Sequence, residues 1–192
     1  MEDQPGSLSH DTIWDLLPAE DGAMWVGTDA GLNRYDPATD SFEHMDLDGK
    51  AGPGSRHDVI HSLFRDADGT VWVGSGTGLS RYDGNDEFTH FRHDPFEPDS
   101  IGRGSVRAML EDSEGRFWVG TELGGLQRFN RDSGTFRRYT RETGALGDNY
   151  VRDLSWRIAA SCGSRRSTVA YPFSIRRRRH QGTLPPVTLP PV

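Results

Sequence analysis

Residues 112–121 read Asp-Ser-Glu-Gly-Arg-Phe-Trp-Val-Gly-Thr, and residues 124–129 continue with Gly-Gly-Leu-Gln-Arg-Phe. Closely similar stretches occupy residues 66–82 and 20–35. The three copies keep a regular spacing, because their tryptophans, Trp25, Trp72 and Trp118, are 47 and 46 residues apart. Such a period is typical of a repeat protein, in which each unit buries its apolar face against its neighbours.

Each repeat has the pattern of four short strands. The first strand is predicted at residues 12–17, 57–64 and 105–111, and an Asp-Gly or Glu-Gly pair that favours a tight turn follows it. The second strand contains the tryptophan, the third begins after a glycine-containing loop, and the fourth contains Phe42, Phe88 or Phe136. Four antiparallel strands in such a unit are typical of a propeller blade. We therefore predict an all-β fold: a partial β-propeller of about three four-stranded blades plus the first strand of a fourth, with an irregular C-terminal tail.

The repeat boundaries divide the chain. We predict an N-terminal lead at residues 1–7, blades at residues 8–53, 54–99 and 100–145, the start of a fourth blade at residues 146–155, and a tail at residues 156–192. Three blades cannot close a ring, so both end sheets are expected to keep exposed apolar faces and strand edges.

Most of the recurring residues are expected to serve the fold, since a catalytic group would be needed only once. The tryptophans should fill the wedge between neighbouring sheets. The turn acids and glycines should stabilise turns, and the arginines should pack or pair at the blade surface. These repeat-structural residues are Trp25, Trp72, Trp118, Gly22, Gly69, Gly115, Asp21, Asp68, Gly31, Gly78, Gly125, Arg34, Arg81, Arg128, Tyr35, Tyr82 and Phe129.

The longer connections, at residues 46–56, 93–104 and 140–149, link one blade to the next. They are expected on one face, together with the loops at residues 28–31, 75–78 and 121–125. Loops gathered on one rim of a rigid scaffold are where binding usually occurs. We expect a small-molecule or carbohydrate ligand on this loop face.

The repeat closely resembles the two-component regulator propeller repeat. Residues 66–75, Asp-Ala-Asp-Gly-Thr-Val-Trp-Val-Gly-Ser, and residues 31–36, Gly-Leu-Asn-Arg-Tyr-Asp, carry the resemblance, which covers residues 8–155. Ala19 departs from it, since the family pattern has an aspartate there. The resemblance implies propellers that form the periplasmic sensor region of hybrid histidine kinases or diguanylate cyclases. The missing blades and an output domain would then be partners of this chain.

Three functions are consistent with these patterns. The first is a fragment of a ligand-sensing propeller with no catalytic activity of its own, and the second is a protein-interaction propeller. The third is a glycosidase-like propeller built from Asp-box motifs. It is disfavoured because Asp66 and Asp112 lie three residues before the turn glycine, whereas that motif has two, and because no non-repeated acid cluster is seen.

The tail differs sharply from the repeats. All 29 acidic residues lie at or before Asp153, whereas residues 156–192 hold seven arginines and no acid. One interpretation is a basic, disordered arm that binds an anionic surface or nucleic acid. A shifted reading frame from Trp156, however, permits further repeat residues at the spacing of Gly115, Trp118, Leu126 and Phe129. This agreement favours a frameshift, and we expect no nucleic-acid partner.

Several classes are excluded by pattern. There is no phosphate-binding loop, nucleophile elbow or zinc-ligand spacing, so no cofactor, metal or catalytic residue is expected. The single cysteine, Cys162, excludes an intramolecular disulfide. No apolar run is long enough to cross a bilayer. The family is periplasmic, but this chain shows no signal peptide and is expected to stay cytoplasmic if expressed as given.

Overall fold

The structure, a computed structural model, describes residues 6–47, 59–156 and 173–176. It contains three four-stranded antiparallel sheets and one two-stranded sheet. Sheet 1 is β1 Ile13–Pro18, β2 Met24–Thr28, β3 Gly31–Asp36 and β4 Ser41–Met45; sheet 2 is β5 Ile60–Arg65, β6 Val71–Ser75, β7 Gly78–Gly84 and β8 Glu87–Arg92; sheet 3 is β9 Val106–Glu111, β10 Phe117–Thr121, β11 Gly125–Asn130 and β12 Thr135–Tyr139; the last pair is β13 Asp153–Trp156 and β14 Phe173–Arg176.

The predicted fold class is confirmed. Each four-stranded sheet is a meander in which sequential strands pair, and the first strands of neighbouring sheets lie side by side in the order β1, β5, β9 and β13. This stacking of blade-like sheets around their first strands is the arrangement of a propeller. No helix in the described part of the chain is long and apolar enough to span a bilayer.

The predicted irregular tail, residues 156–192, contains strand residues at Trp156 and at Phe173–Arg176. Phe173–Arg176 forms β14, which pairs antiparallel with β13 from Asp153↔Arg176 to Trp156↔Phe173. An unpaired strand edge is a template for any extended segment that can reach it, and β13 offers such an edge. Trp156, where the shifted reading frame would begin, is the last residue of β13, and the rest of the predicted tail, including Cys162, lies outside the described residues.

The core lies between the sheets. Trp25, Ile60 and Val73 belong to the layer between sheets 1 and 2. Trp72, Val106 and Phe117 belong to the layer between sheets 2 and 3, and Trp118, Val151 and Leu154 to the layer between sheet 3 and β13. Each layer thus uses side chains from two successive repeats, as expected of units that cannot bury their apolar faces alone.

The glycine of each Trp-Val-Gly sequence receives the next sheet. Ile60 lies against Gly27, and Val106 lies against Gly74, where a Cβ would be 2.7 Å from a branched side-chain carbon in both cases. Ile60 and Val106 are completely buried as a result. Their counterpart in the first repeat, Ile13, is 48% exposed because no described sheet precedes it. Sheet 1 therefore has an uncovered apolar face.

The loop face forms as predicted where it is described. Glu122 N donates to Ser105 O at 3.0 Å, and Gly125 N donates to Asn149 O at 3.0 Å. The loop between the second and third strands of sheet 3 therefore lies between two connections: the one that leads into sheet 3, at Ser105, and the one that leaves it, at Asn149. Part of the first long connection, residues 48–56, lies outside the described residues.

Candidate functional site

The repeated tryptophans lie at the sheet interfaces. The Trp25 ring lies 5.0 Å from the Tyr82 ring of sheet 2, and the Trp72 ring lies 5.0 Å from the Phe117 ring of sheet 3 and 5.4 Å from Phe129. Trp118 is buried with Val151 and Leu154, which follow sheet 3. All three indole rings therefore pack against the next unit along the chain.

In the second and third repeats, an aspartate of the same repeat binds the tryptophan and fixes its orientation. The Asp66 carboxylate accepts hydrogen bonds from the backbone amides of Asp68 and Thr70 and from Trp72 Nε1 at 2.8 Å. Asp112 makes the equivalent bonds in sheet 3, including one from Trp118 Nε1 at 2.8 Å. Both carboxylates are buried, so each closes its turn and orients its indole at once. The first repeat has Ala19 at this position.

The other recurring residues lie in turns and on the sheet surface. The turn glycines Gly22, Gly69 and Gly115 and the strand-opening glycines Gly31, Gly78 and Gly125 all have positive φ. Asp21 accepts a bond from Ala23 N and pairs with Arg34, which lies over the Trp25 ring, whereas Asp68 is exposed. Arg81 pairs with Asp83 at 2.6 Å, Arg128 is opposite Trp118 in the sheet, and Tyr35 packs on Phe42. Several of these residues, among them Asp21, Arg34 and Gly69, lie at the outer end of the interface between sheets 1 and 2.

A different set of residues gathers at the loop end of the first strands. The pairing of β1 with β2 shifts register between Ile13 and Asp15, and the same shift occurs between Ile60 and Ser62 and between Val106 and Ala108. The residues at these bulges are Trp14, His61 and Arg107. A β-bulge redirects a side chain out of the regular alternation, and bulges are over-represented beside functional sites.

The three bulged side chains contact one another across two interfaces. The rings of Trp14 and His61 meet edge to face at 5.3 Å, and the Arg107 guanidinium lies 5.7 Å from the Trp14 ring centroid. Arg107 Nη1 donates to His61 Nδ1 at 3.1 Å. Two acids from the adjoining loops complete the group. Trp14 Nε1 donates to Asp29 at 2.6 Å, and Arg107 pairs with Glu122 at 3.4 Å. We call Trp14, Asp29, His61, Arg107 and Glu122 the bulge cluster.

The electrostatics of the cluster fix its protonation states. Burial and the Arg107 charge lower the pKa of His61 from 6.5 to about 4. Because a guanidinium can only donate, His61 Nδ1 must accept, which requires a neutral imidazole. Burial raises the pKa of Glu122, but the Arg107 charge and hydrogen bonds from Arg107, Ser105 and Tyr150 outweigh it, so the net pKa is lowered. At neutral pH the cluster holds a neutral histidine and an ion pair.

The cluster keeps unused capacity for a ligand. Trp14 is 46% exposed, and Arg107 Nε–H is buried with no acceptor among the described residues. The arrangement therefore offers an exposed aromatic surface beside a partly exposed guanidinium and two carboxylates.

Sequence reasoning missed this cluster although the signal was present. The aligned position reads Trp14, His61, Arg107 and Arg152 in successive repeats, directly after the constant apolar column of Ile13, Ile60, Val106 and Val151. A variable polar column inside an otherwise regular repeat is where function can differ between blades. The neighbours of His61 in space, Trp14 and Arg107, come from the repeats before and after it.

The chain was compared with known proteins. A model of the two component regulator propeller family matches residues 7–30, 54–77 and 100–122. A search of curated proteins finds no match. Among solved structures, the extracellular domain of BT3049, assigned to a hybrid two component system of B. thetaiotaomicron, is 19% identical with a TM-score of 0.67, covering 77% of this chain and 21% of that one. The extracellular domain of BT4673 from the same organism is 22% identical with a TM-score of 0.63, covering 78% and 20%.

A likeness with a lower TM-score extends to a lyase. Virginiamycin B lyase from Staphylococcus aureus is 10% identical with a TM-score of 0.53, covering 74% of this chain and 44% of that one. At such identities the likeness shows the fold alone. The chain spans about a fifth of the length of the two extracellular domains. Each of the three four-stranded sheets thus contains one stretch that matches the two component regulator propeller model, and these stretches carry the first two strands of each sheet.

Proposed function

We propose that this chain is part of the ligand-binding sensor propeller of a two-component-type signal-transduction protein, and that the bulge cluster is its recognition site for a polar small molecule, with a carbohydrate as the preferred class. The carrying observation is that the first strands of three successive sheets bulge at the same position and present three different side chains to one another. The three matches to the two component regulator propeller model support the signalling role, and the extracellular placement of the similar domains supports a periplasmic location.

The chemistry of the cluster suits a carbohydrate. A sugar presents apolar C–H faces and a ring of hydroxyl groups, so it needs an aromatic surface and several donors and acceptors close together. Trp14 offers the aromatic surface, while the partly exposed Arg107 guanidinium and the carboxylates of Asp29 and Glu122 offer donors and acceptors. Hydroxyl groups can satisfy both kinds of partner.

Catalysis is not part of this proposal. A glycosidase needs one carboxylic acid that stays protonated near neutral pH as general acid. Glu122 has the opposite tendency, because Arg107 and three hydrogen-bonding neighbours hold its pKa below the usual value. The environment of the acid therefore favours binding over glycoside hydrolysis.

The test is a panel of mono- and oligosaccharides screened by thermal shift on the full chain, followed by calorimetry on any sugar that stabilises it. His61→Ala and Trp14→Ala are expected to weaken binding at least about tenfold, since each removes a contact worth over 1 kcal/mol. His44→Ala is the matched control, because His44 lies on the fourth strand and bonds Ser7 O. A sugar that binds both bulge variants as tightly as the unaltered chain would overturn the assignment, as would a panel with no binder.

A further inference from the structure

A cleft between sheets 1 and 2 lies at the opposite end of the strands from the bulge cluster. Its volume is about 330 Å³, and its walls include Ala19, Trp25, Arg34, Arg65, Val71 and Tyr82. Small-molecule sites begin at about this size. The equivalent position between sheets 2 and 3 is filled, and the difference between the two interfaces shows what the cleft lacks.

At the filled interface a carboxylate lies at the centre. Asp66 accepts the Trp72 Nε1 hydrogen bond at 2.8 Å and pairs with Arg131 Nη2 at 3.3 Å. The Arg131 guanidinium lies 4.8 Å from the centroid of the Phe117 ring and also pairs with Glu111 at 2.9 Å. The carboxylate, the guanidinium and the aromatic ring together occupy the space.

At the open interface each of these three groups is replaced by a smaller one. Counting from the tryptophan of each repeat, Ala19 stands where Asp66 does, and Val71 stands where Phe117 does. Gly84 stands where Arg131 does, two residues after the aromatic residue of the third strand. The cleft between sheets 1 and 2 therefore corresponds to the space that Asp66, Arg131 and Phe117 fill between sheets 2 and 3.

The donors that served the carboxylate are still present. Trp25 pairs with Leu17 in the same register in which Trp72 pairs with Phe64. The equivalent register directs the Nε1 edge of Trp25 toward residue 19, as that of Trp72 is directed toward Asp66. The Ala19 side chain has no acceptor to offer Trp25 Nε1, whereas the Asp66 carboxylate accepts the hydrogen bond of Trp72 Nε1. A buried or half-buried indole N–H normally has a partner.

The open interface also carries a cation where the filled one has an acid. Arg65 occupies the position of Glu111, and it donates to Pro18 O at 2.8 Å and pairs with the exposed Glu20 at 3.5 Å. Its Nε–H is buried and has no acceptor in the described part of the chain. The cleft therefore combines an indole N–H that lacks its aspartate with the guanidinium of Arg65, and its own carboxylates, Glu20 and Asp21, lie at the exposed rim, where they pair with Arg65 and Arg34.

We propose that this cleft binds a small-molecule carboxylate, whose oxygens take the place of the missing aspartate side chain and accept hydrogen bonds from Trp25 Nε1 and the Arg65 guanidinium. Charge-assisted bonds from a guanidinium to a carboxylate are the stronger class of hydrogen bond. The site is independent of the bulge cluster, which lies at the loop end of the same sheets.

The test uses acetate as the probe and the ¹⁵N-labelled full chain. The indole Nε1–H signal of Trp25, identified from its loss in Trp25→Phe, is expected to shift saturably with sodium acetate. The other indole signals should not shift, and sodium chloride at the same ionic strength should have no effect. Arg65→Gln is expected to weaken acetate binding about tenfold, the effect of losing one charged hydrogen bond. Arg103→Gln, an exposed change of equal charge on the loop face, should leave it unchanged.

Ala19→Asp supplies the decisive variant because it restores the side chain that the other two repeats carry. It is expected to move the Trp25 signal to the acetate-saturated position without acetate, to abolish any further response, and to raise the urea midpoint. An acetate shift no larger than that of chloride, or an undiminished response in Ala19→Asp, would overturn the proposal. Neither result tests sugar binding at the bulge cluster, because that binding is measured with the variants His61→Ala and Trp14→Ala and not with the Trp25 signal.

Discussion

Asp66 Oδ2 lies 2.8 Å from Trp72 Nε1, and this bond ties the turn of one repeat to the tryptophan that faces the next. Asp66→Ala is expected to lower the free energy of unfolding by about 2–3 kcal/mol, because it leaves the buried indole N–H without an acceptor and removes two turn bonds. Urea unfolding followed by tryptophan fluorescence measures the change. Asp68→Ala is the control, since Asp68 is exposed, and a loss equal to that of the control would refute the role of Asp66.

Gly74→Ala is expected to destabilise the chain by about 2 kcal/mol, since an added methyl group cannot enter a filled interface without displacing the neighbouring sheet. A Cβ at this position would lie 2.7 Å from Val106 Cγ1. Gly76→Ala is matched to it, because a Cβ there meets nothing within 4 Å. Thermal unfolding should separate the two variants clearly. Equal midpoints for both would contradict the close approach of sheets 2 and 3.

His61 is expected to make stability depend on pH between about 4 and 6.5. Its pKa falls from 6.5 to about 4 in the folded chain, so the unfolded chain binds the proton more tightly. The contribution is therefore complete above pH 6.5 and is lost as the pH falls toward 4. Because the imidazole is only half-buried, the loss is about 1 kcal/mol. Urea titrations at pH 7 and 5 should show this extra loss in the unaltered chain and not in His61→Gln; an identical pH dependence would contradict it.

Ile13 is expected to promote self-association rather than stability. It lies on the uncovered face of sheet 1 with Leu16, and the two are 48% and 51% exposed. Ile13→Ser should reduce association in sedimentation velocity runs while changing the free energy of unfolding by less than about 1 kcal/mol. Ile60→Ser, at the same repeat position but completely buried, should cost about 3 kcal/mol or more. Unchanged association of Ile13→Ser would show that this face is covered in some other way.

The fold could be predicted from the sequence because its determinants recur. Trp72, Gly69 and Tyr82 each have counterparts one period away, so strand order, turns and packing face follow from aligning the repeats. The strand at residues 173–176 could not be predicted in this way. Nothing in the local pattern of Phe173–Arg176 matches a repeat, and its pairing with β13 depends on an edge that becomes available only in the folded chain.

The bulge cluster could not be predicted in the same way. Trp14, His61 and Arg107 are unlike one another, and a bulge leaves no mark in a period-two pattern that is only six residues long. Their association depends on the stacking of three sheets, which brings residues more than 40 positions apart into contact. In the sequence, the cleft at Ala19 shows only as a departure from the repeat pattern. That Trp25 thereby loses an aspartate partner becomes clear only from the strand register of the structure.

The most direct test of the sensor assignment is an NMR titration of the full chain, labelled with ¹⁵N in tryptophan and arginine, with the sugar that the thermal-shift panel selects. We expect the Trp14 indole and Arg107 Nε–H signals to move first and with the same affinity, because these groups line the bulge cluster and Arg107 Nε–H lacks an acceptor among the described residues. Movement confined to other signals, with Trp14 and Arg107 unaffected at saturation, would contradict the assignment of ligand recognition to this cluster.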